Sequence, residues 1–205
     1  MSFRLSAHLL APLAAVSLAA PAALAQTANP LRQVEQSLAG TRSMTAQFTQ
    51  TDGRGQRLSG TLSLKRPGKV RFEYGRGANM LLVGDGRNLT FIDYDVGQKS
   101  AWPIARSPLS VLLSPQPNLS RIARIERQAN PNVVIVRARD ARRPEFGTLL
   151  LAFARNGAAP GGLQLEGWTA IDAQNKRTTV KLDGQRYNVA IPDSAFTYAQ
   201  PTKRK

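Results

Sequence analysis

No cysteine occurs in this chain, and its one histidine, His8, stands among the first ten residues. Without cysteine there are no disulfides, thiolate metal sites or thiol nucleophiles, and no N-terminal cysteine on which a lipid anchor could be built. With no imidazole after His8, the commonest general base, the commonest metal ligand and the Ser-His-Asp triad are all absent from the rest of the chain. Acidic residues are few, 13 against 28 Lys and Arg, for a formal net charge of +15. Aromatic residues make up only 6%. Long apolar runs are also missing, apart from residues 9–20, which are broken only by Pro12 and Ser17.

That run reads as a secretion signal covering residues 1–25. Arg4 and His8 precede it, and Ala23-Leu24-Ala25 satisfies the small-x-small cleavage rule, with the cut expected before Gln26. It is shorter than the roughly 20 apolar residues a membrane helix needs. Cleavage would remove Arg4 alone among the charged side chains and leave 180 residues carrying +14. A chain of that length, 26–205, is expected to be one domain with its own core. The positive charge suits solubility or anionic partners, and export argues against nucleic acid.

Beyond the signal, Asn29 and Pro30 are placed to start a helix whose stripe is Leu31, Val34 and Leu38, with Gly40 as its stop. The period then changes to two. Met44, Ala46 and Phe48 alternate with polar residues. So do Leu58, Leu62 and Leu64, then Val70, Phe72 and Tyr74; the apolar run 80–83 follows as a further strand, and then Leu89 and Phe91 alternate with Thr90 and Ile92. Turns are marked by Asp52-Gly53, Arg66-Pro67-Gly68 and Gly84-Asp85-Gly86. Residues 107–113, Ser-Pro-Leu-Ser-Val-Leu-Leu, interrupt this meander as a short apolar helix between Pro-rich flanks. Further strands are expected at 122–126, 133–139, 146–153 and 163–172, the last with a bulge at Gly167, and at 178–182 before Asp183-Gly184. Phe196 and Tyr198 fall in a closing segment. The expected fold is therefore mainly β: an incomplete, half-open antiparallel barrel of ten or eleven strands with a small helical lid.

One apolar face of a curled sheet must be covered. Two short helices leave much of that to a lid, to a ligand or to both. An aliphatic lining suits alkyl chains, which offer no directional groups. The expectation is a hollow too large for the chain to fill, sealed by a hinged flap. A packed interior with no gap beneath Leu109 to Leu113 would end the argument for that hollow.

Several stretches resemble the outer-membrane lipoprotein carrier (LolA) family. They are Phe48-Thr49-Gln50, the run Gly60-Thr61-Leu62-Ser63-Leu64-Lys65-Arg66-Pro67-Gly68, Leu82-Val83-Gly84-Asp85-Gly86, Ser107-Pro108-Leu109 with Leu112-Leu113, and Phe196-Thr197-Tyr198. The resemblance covers nearly all of Leu31 to Pro201, and the order and spacing of these stretches are more specific than any one of them. The resemblance implies a monomeric periplasmic chaperone with no catalytic residue, metal or cofactor. Such a protein takes triacylated lipoproteins from an inner-membrane ABC transporter and hands them to an outer-membrane acceptor. It implies an acyl cavity from Phe48, Leu62, Leu64, Val70, Phe72, Met80, Leu82, Leu89 and Phe91. It implies a lid from Leu31, Val34, Leu38, Leu109, Val111, Leu112 and Leu113, and a closing Phe-rich strand at 196–198. Arg66, in the Lys-Arg-Pro motif, is the residue it implies for lid contact and release.

Two other classes compete. A lipid or glycolipid binding or sensing module could share the half-barrel. An enzyme would need paired carboxylates, and Asp93 with Asp95, or Glu166 with Asp172 near Trp168, are the available pairs. Asp93-Tyr94-Asp95 lacks the further ligands of a calcium loop, and no helix follows Gly75-Arg76-Gly77 to make it a phosphate loop.

Overall fold

The computed structural model describes residues 29–75 and 77–202. The expected signal at 1–25 lies outside the described residues. Helix α1 is Pro30–Gly40, and Asn29 caps it by accepting from the Leu31 amide, with Pro30 at the first helical position. Strands β1 to β6 follow at Ser43–Asp52, Arg57–Lys65, Lys69–Tyr74, Met80–Asp85, Asn88–Asp93 and Gln98–Pro103. A connection over residues 104–122 contains the four-residue helix α2, Ser110–Leu113. Strands β7 to β11 are Ala123–Glu126, Val133–Ala138, Thr148–Arg155, Leu163–Ile171 and Arg177–Tyr187.

All eleven strands form one antiparallel sheet in the order β6-β5-β4-β3-β2-β1-β11-β10-β9-β8-β7. The sheet is open, because β6 and β7 are its two edges and do not pair with each other. They are consecutive in sequence, so residues 104–122 must run from one edge to the other. The lid is thus a strap across the mouth of an unclosed barrel.

Register explains which face is buried. Met44, Leu64 and Val70 stand in line across β1, β2 and β3, as do Ala46, Leu62, Phe72, Leu82 and Phe91 across β1 to β5. On the other half, Val180, Trp168, Leu151 and Val136 line up across β11 to β8. Side chains of one register row share a face, and these rows, apart from the half-buried Phe91 at the outer end, form the concave core. The bulge expected at Gly167 is present: the β9–β10 register shifts between Leu165 and Gly167. Gly167 has φ +146°, and a Cβ there would lie 2.1 Å from the Val180 carbonyl oxygen. The Leu165 amide is satisfied by the Tyr187 hydroxyl at 3.1 Å.

Three expectations need correction. Strand β6 was not anticipated, because all six of its residues are exposed and give no alternation to read. The last strand does not stop at Asp183-Gly184 but continues to Tyr187, with Gly184 at φ +62° inside a bulge against β1. Phe196 is not in a closing strand. It ends a single 3-10 turn, Asp193–Phe196, and packs with Ile191 on Leu81, Val83 and Ile92. Those three residues alternate with the concave rows of β4 and β5, so the C-terminal segment covers the convex face. It satisfies that face with its own apolar residues and needs no strand ladder.

Two ammonium groups fasten this segment. Lys65 Nζ and Lys69 Nζ lie 2.7 and 2.9 Å from the Asp193 carboxylate, and their hydrogen bonds, Lys65 first, hold it down to about 2 from an ordinary 3.8. A depressed carboxylate contributes stability present above its unfolded pKa and lost as pH falls through the folded one. Asp193→Asn should therefore lower the melting temperature slightly above about pH 4, and the difference should vanish below about pH 2. Thermal melts of both proteins across that range are the check. The effect is small because the carboxylate faces solvent.

Candidate functional site

The concave trough is floored by an aromatic lattice. The Phe48 ring meets Phe72 and Tyr74 edge-on at 5.2 Å each, and Phe72 meets Trp168 at 6.0 Å. Such edge-to-face pairs add rigidity beyond area burial. Of the nine residues expected to line a cavity, Phe48, Leu62, Leu64, Val70, Phe72 and Leu89 are buried in this core. Leu82 packs against it from a half-buried position. Met80 and Phe91 are half-buried farther out, toward edge β6. Trp102, which the register puts opposite Leu89, is 36% exposed.

Half of the trough escaped the sequence reading. Leu149, Leu151, Phe153, Leu163, Leu165, Trp168, Val180 and Leu182 are as buried as the named residues. Their strand periodicity was legible, but only pairing of β11 with β1 brings the second half onto the same face. The low aromatic content also misled, since Phe48, Phe72, Phe153 and Trp168 are concentrated here.

The lid has two parts. Helix α1 closes one end and is fixed there. Val34 and Leu38 are buried, with Leu31 packed beside them. Ser37 Oγ donates to the Leu163 carbonyl at 2.8 Å, Gln33 Nε2 to that of Gly161 at 3.1 Å, and Glu35 accepts from the Leu119 amide at 2.7 Å. Helix α2 lies over the trough. Leu112 and Leu113 are each 3% exposed, with Leu109 and Val111 half-buried around them. Between them and Met44, Leu62, Leu64, Val70, Phe72 and Trp168 only about 10 Å³ remains, room for no more than about one water. The expected unfilled hollow is therefore corrected: with the lid down, the chain fills it. Two leucines from one turn of helix suffice because the aromatic floor narrows the trough.

Polar attachment of α2 is slight. Among the described residues, two hydrogen bonds join residues 107–118 to the sheet. The Gly68 amide donates to the Leu113 carbonyl at 3.0 Å, and Arg66 Nη1 donates to the Ser114 carbonyl at 2.7 Å. Both donors come from the β2–β3 turn. Arg66 thus sets a cation on the carbonyl of Ser114, the residue that follows α2. Burial pushes its guanidinium down to about 10, and its Nε is buried without a partner. It remains charged at neutral pH, at a desolvation cost that opposes the gain from its hydrogen bond.

The carboxylate pairs weighed for catalysis serve the fold. Asp93 accepts from the amides of Asp95 and Val96, and Asp172 from those of Gln174 and Lys176. Glu166 accepts from Gln164 Nε2, while Trp168 is buried in the trough.

A search of solved structures finds the same fold in an uncharacterized conserved protein from Thermus thermophilus. The TM-score is 0.51 at 13% identity, over 84% of this chain and 94% of that one. An outer-membrane lipoprotein carrier protein from Chromobacterium violaceum is 27% identical over 197 residues, covering 92% of each chain. A carrier of the same name from Pseudomonas fluorescens is 29% identical over 97% of this chain and 96% of its own length. A family model described as outer membrane lipoprotein carrier protein LolA matches residues 39–199, which include both edges of the open sheet, the strap between them and Arg66. On that match, which covers more than half of its residues, the chain belongs to the LolA family.

Proposed function

We propose that this protein carries lipoproteins across the periplasm from the inner to the outer membrane, with their acyl chains in the trough once α2 has moved aside. The single observation that carries this reading is the plug itself: Leu112 and Leu113 fill an apolar trough, yet two hydrogen bonds hold their segment to the sheet. A core meant to stay shut would not be stoppered by one turn of helix on a Pro-rich strap. In this reading the donor is an inner-membrane ABC transporter and the recipient an outer-membrane acceptor. The exposed Trp102 on edge β6 is where a chain first meets the protein. Nothing is made or broken, so no catalytic residue or cofactor is involved.

The energetics need the plug. Each buried methylene contributes about 0.8 kcal/mol. Three long chains fully buried would exceed the practical ceiling of about 18–21 kcal/mol for reversible binding. Leu112 and Leu113 contribute about 1.5–3 kcal/mol each when buried, before counting the trough wall they cover. Cargo displaces those contacts, so only the surplus appears as affinity, and release remains possible.

The absence of cysteine permits a direct test. Leu113→Cys puts one thiol beneath the lid in an otherwise thiol-free chain. It should resist maleimide in the empty protein and become reactive when a triacylated lipopeptide is added. A lipopeptide that stays in its micelles while the thiol stays protected would overturn the reading. Mass spectrometry of lipid bound during expression separates a lipoprotein carrier from a glycolipid carrier.

A further inference from the structure

A second recess lies beside the lid, and none of its residues lines the gap beneath α2. A groove of about 270 Å³ runs along α2, lined by Ser110, Val111 and Ile122 and by Arg143. A smaller recess of about 70 Å³ shares those four residues and adds Arg139, the carboxylate of Asp140 that pairs with Arg143, and, at its base, the buried Leu149. Neither arginine lines the gap over the trough.

The arginines are set for an anion. Arg143 Nε donates to Asp140 Oδ2 at 3.1 Å, and its guanidinium carbon sits 4.9 Å from the centroid of the Phe146 ring. That leaves both its Nη groups without a hydrogen-bond partner among the described residues. Arg139 is exposed, and its side chain likewise has no partner among them. From residue 104 to 155 the chain carries nine Arg, no Lys and three acidic residues. Solvation alone does not call for arginine over lysine. Planar, forked donors match the oxygens of a phosphate.

We propose that this groove binds the headgroup of an anionic phospholipid. Arg139 and Arg143 take the phosphate, and Val111 and Ile122 receive the upper part of an acyl chain. The apolar wall is what argues for a lipid over a free phosphate. Such a ligand would touch α2 at Ser110 and Val111, which do not line the gap over the trough.

The test uses dihexanoylphosphatidylglycerol below its micelle concentration, followed by amide chemical shifts of the full chain. Saturable shifts are expected at Val111, Ile122 and Gly147, weakening as salt is added. The R139Q/R143Q variant, whose spectrum should stay dispersed because both side chains are exposed, should bind about tenfold more weakly. Four outcomes overturn the proposal: no saturable shift, an unchanged affinity in the variant, equal affinity for dihexanoylphosphatidylcholine, or inorganic phosphate alone binding as tightly. The trough reading is judged separately, by maleimide protection at position 113, so either can fail without the other.

Discussion

Truncating Phe48 to alanine should lower the free energy of unfolding by about 3–5 kcal/mol. This ring is 1% exposed and stands at the centre of the aromatic floor, in edge contact with both Phe72 and Tyr74. Its loss removes apolar burial and opens a cavity that the flanking strands cannot collapse into, since β1 is fixed on both sides by β2 and β11. Typical domains have about 5–15 kcal/mol in total, so the variant should fold but unfold at much lower urea concentration. Denaturant titration followed by tryptophan fluorescence is the measurement, because Trp168 abuts the same floor through Phe72. A loss below about 1 kcal/mol would mean that the trough floor is not the rigid base described here.

Arg66→Leu should leave loading intact and slow the transfer of a triacylated lipopeptide to an acceptor about tenfold or more. A hydrogen bond to a charged group contributes about 1.5–3 kcal/mol, and this one positions the C-terminal end of α2 in the closed form. Leucine leaves the Ser114 carbonyl without that donor and offers cargo a further apolar contact at the rim, and both changes favour the loaded state. Relief from burying the guanidinium acts the other way. Two effects against one set the expected sign. Transfer at the wild-type rate by the purified variant would remove Arg66 from the release step.

The two predictions draw on features that were unequally legible in the sequence. Phe48 could be placed on an inward face from its alternation with Thr49 and Gln47, and β1 to β3 were read nearly to their ends for the same reason: one face wet, one face dry. Strands β4 and β5, where Leu81, Val83 and Ile92 make the second face dry as well, were bounded by their turns. Strand β6 was invisible because neither face is dry. The C-terminal segment was misread because apolar spacing at Phe196 and Tyr198 does not distinguish a strand from a covering strap between prolines. The motif containing Arg66 could be seen, whereas its partner at Ser114 depends on where a strap crosses the mouth. The filling of the trough was the least legible feature of all. Volume depends on the curvature of the whole sheet, and no local pattern reports it.

The strand order has a consequence for how the chain reaches this fold. Every pairing but one joins strands adjacent in sequence, so two meanders, β1 to β6 and β7 to β11, can each assemble from nearby residues. The exception is the seam between β1 and β11, whose partners come from opposite ends of the chain. Contacts of such long sequence separation carry the largest loop-closure entropy and set the pace of β-protein folding. The seam is then the slow, late event, and until it zips, each meander presents half a greasy surface to its surroundings.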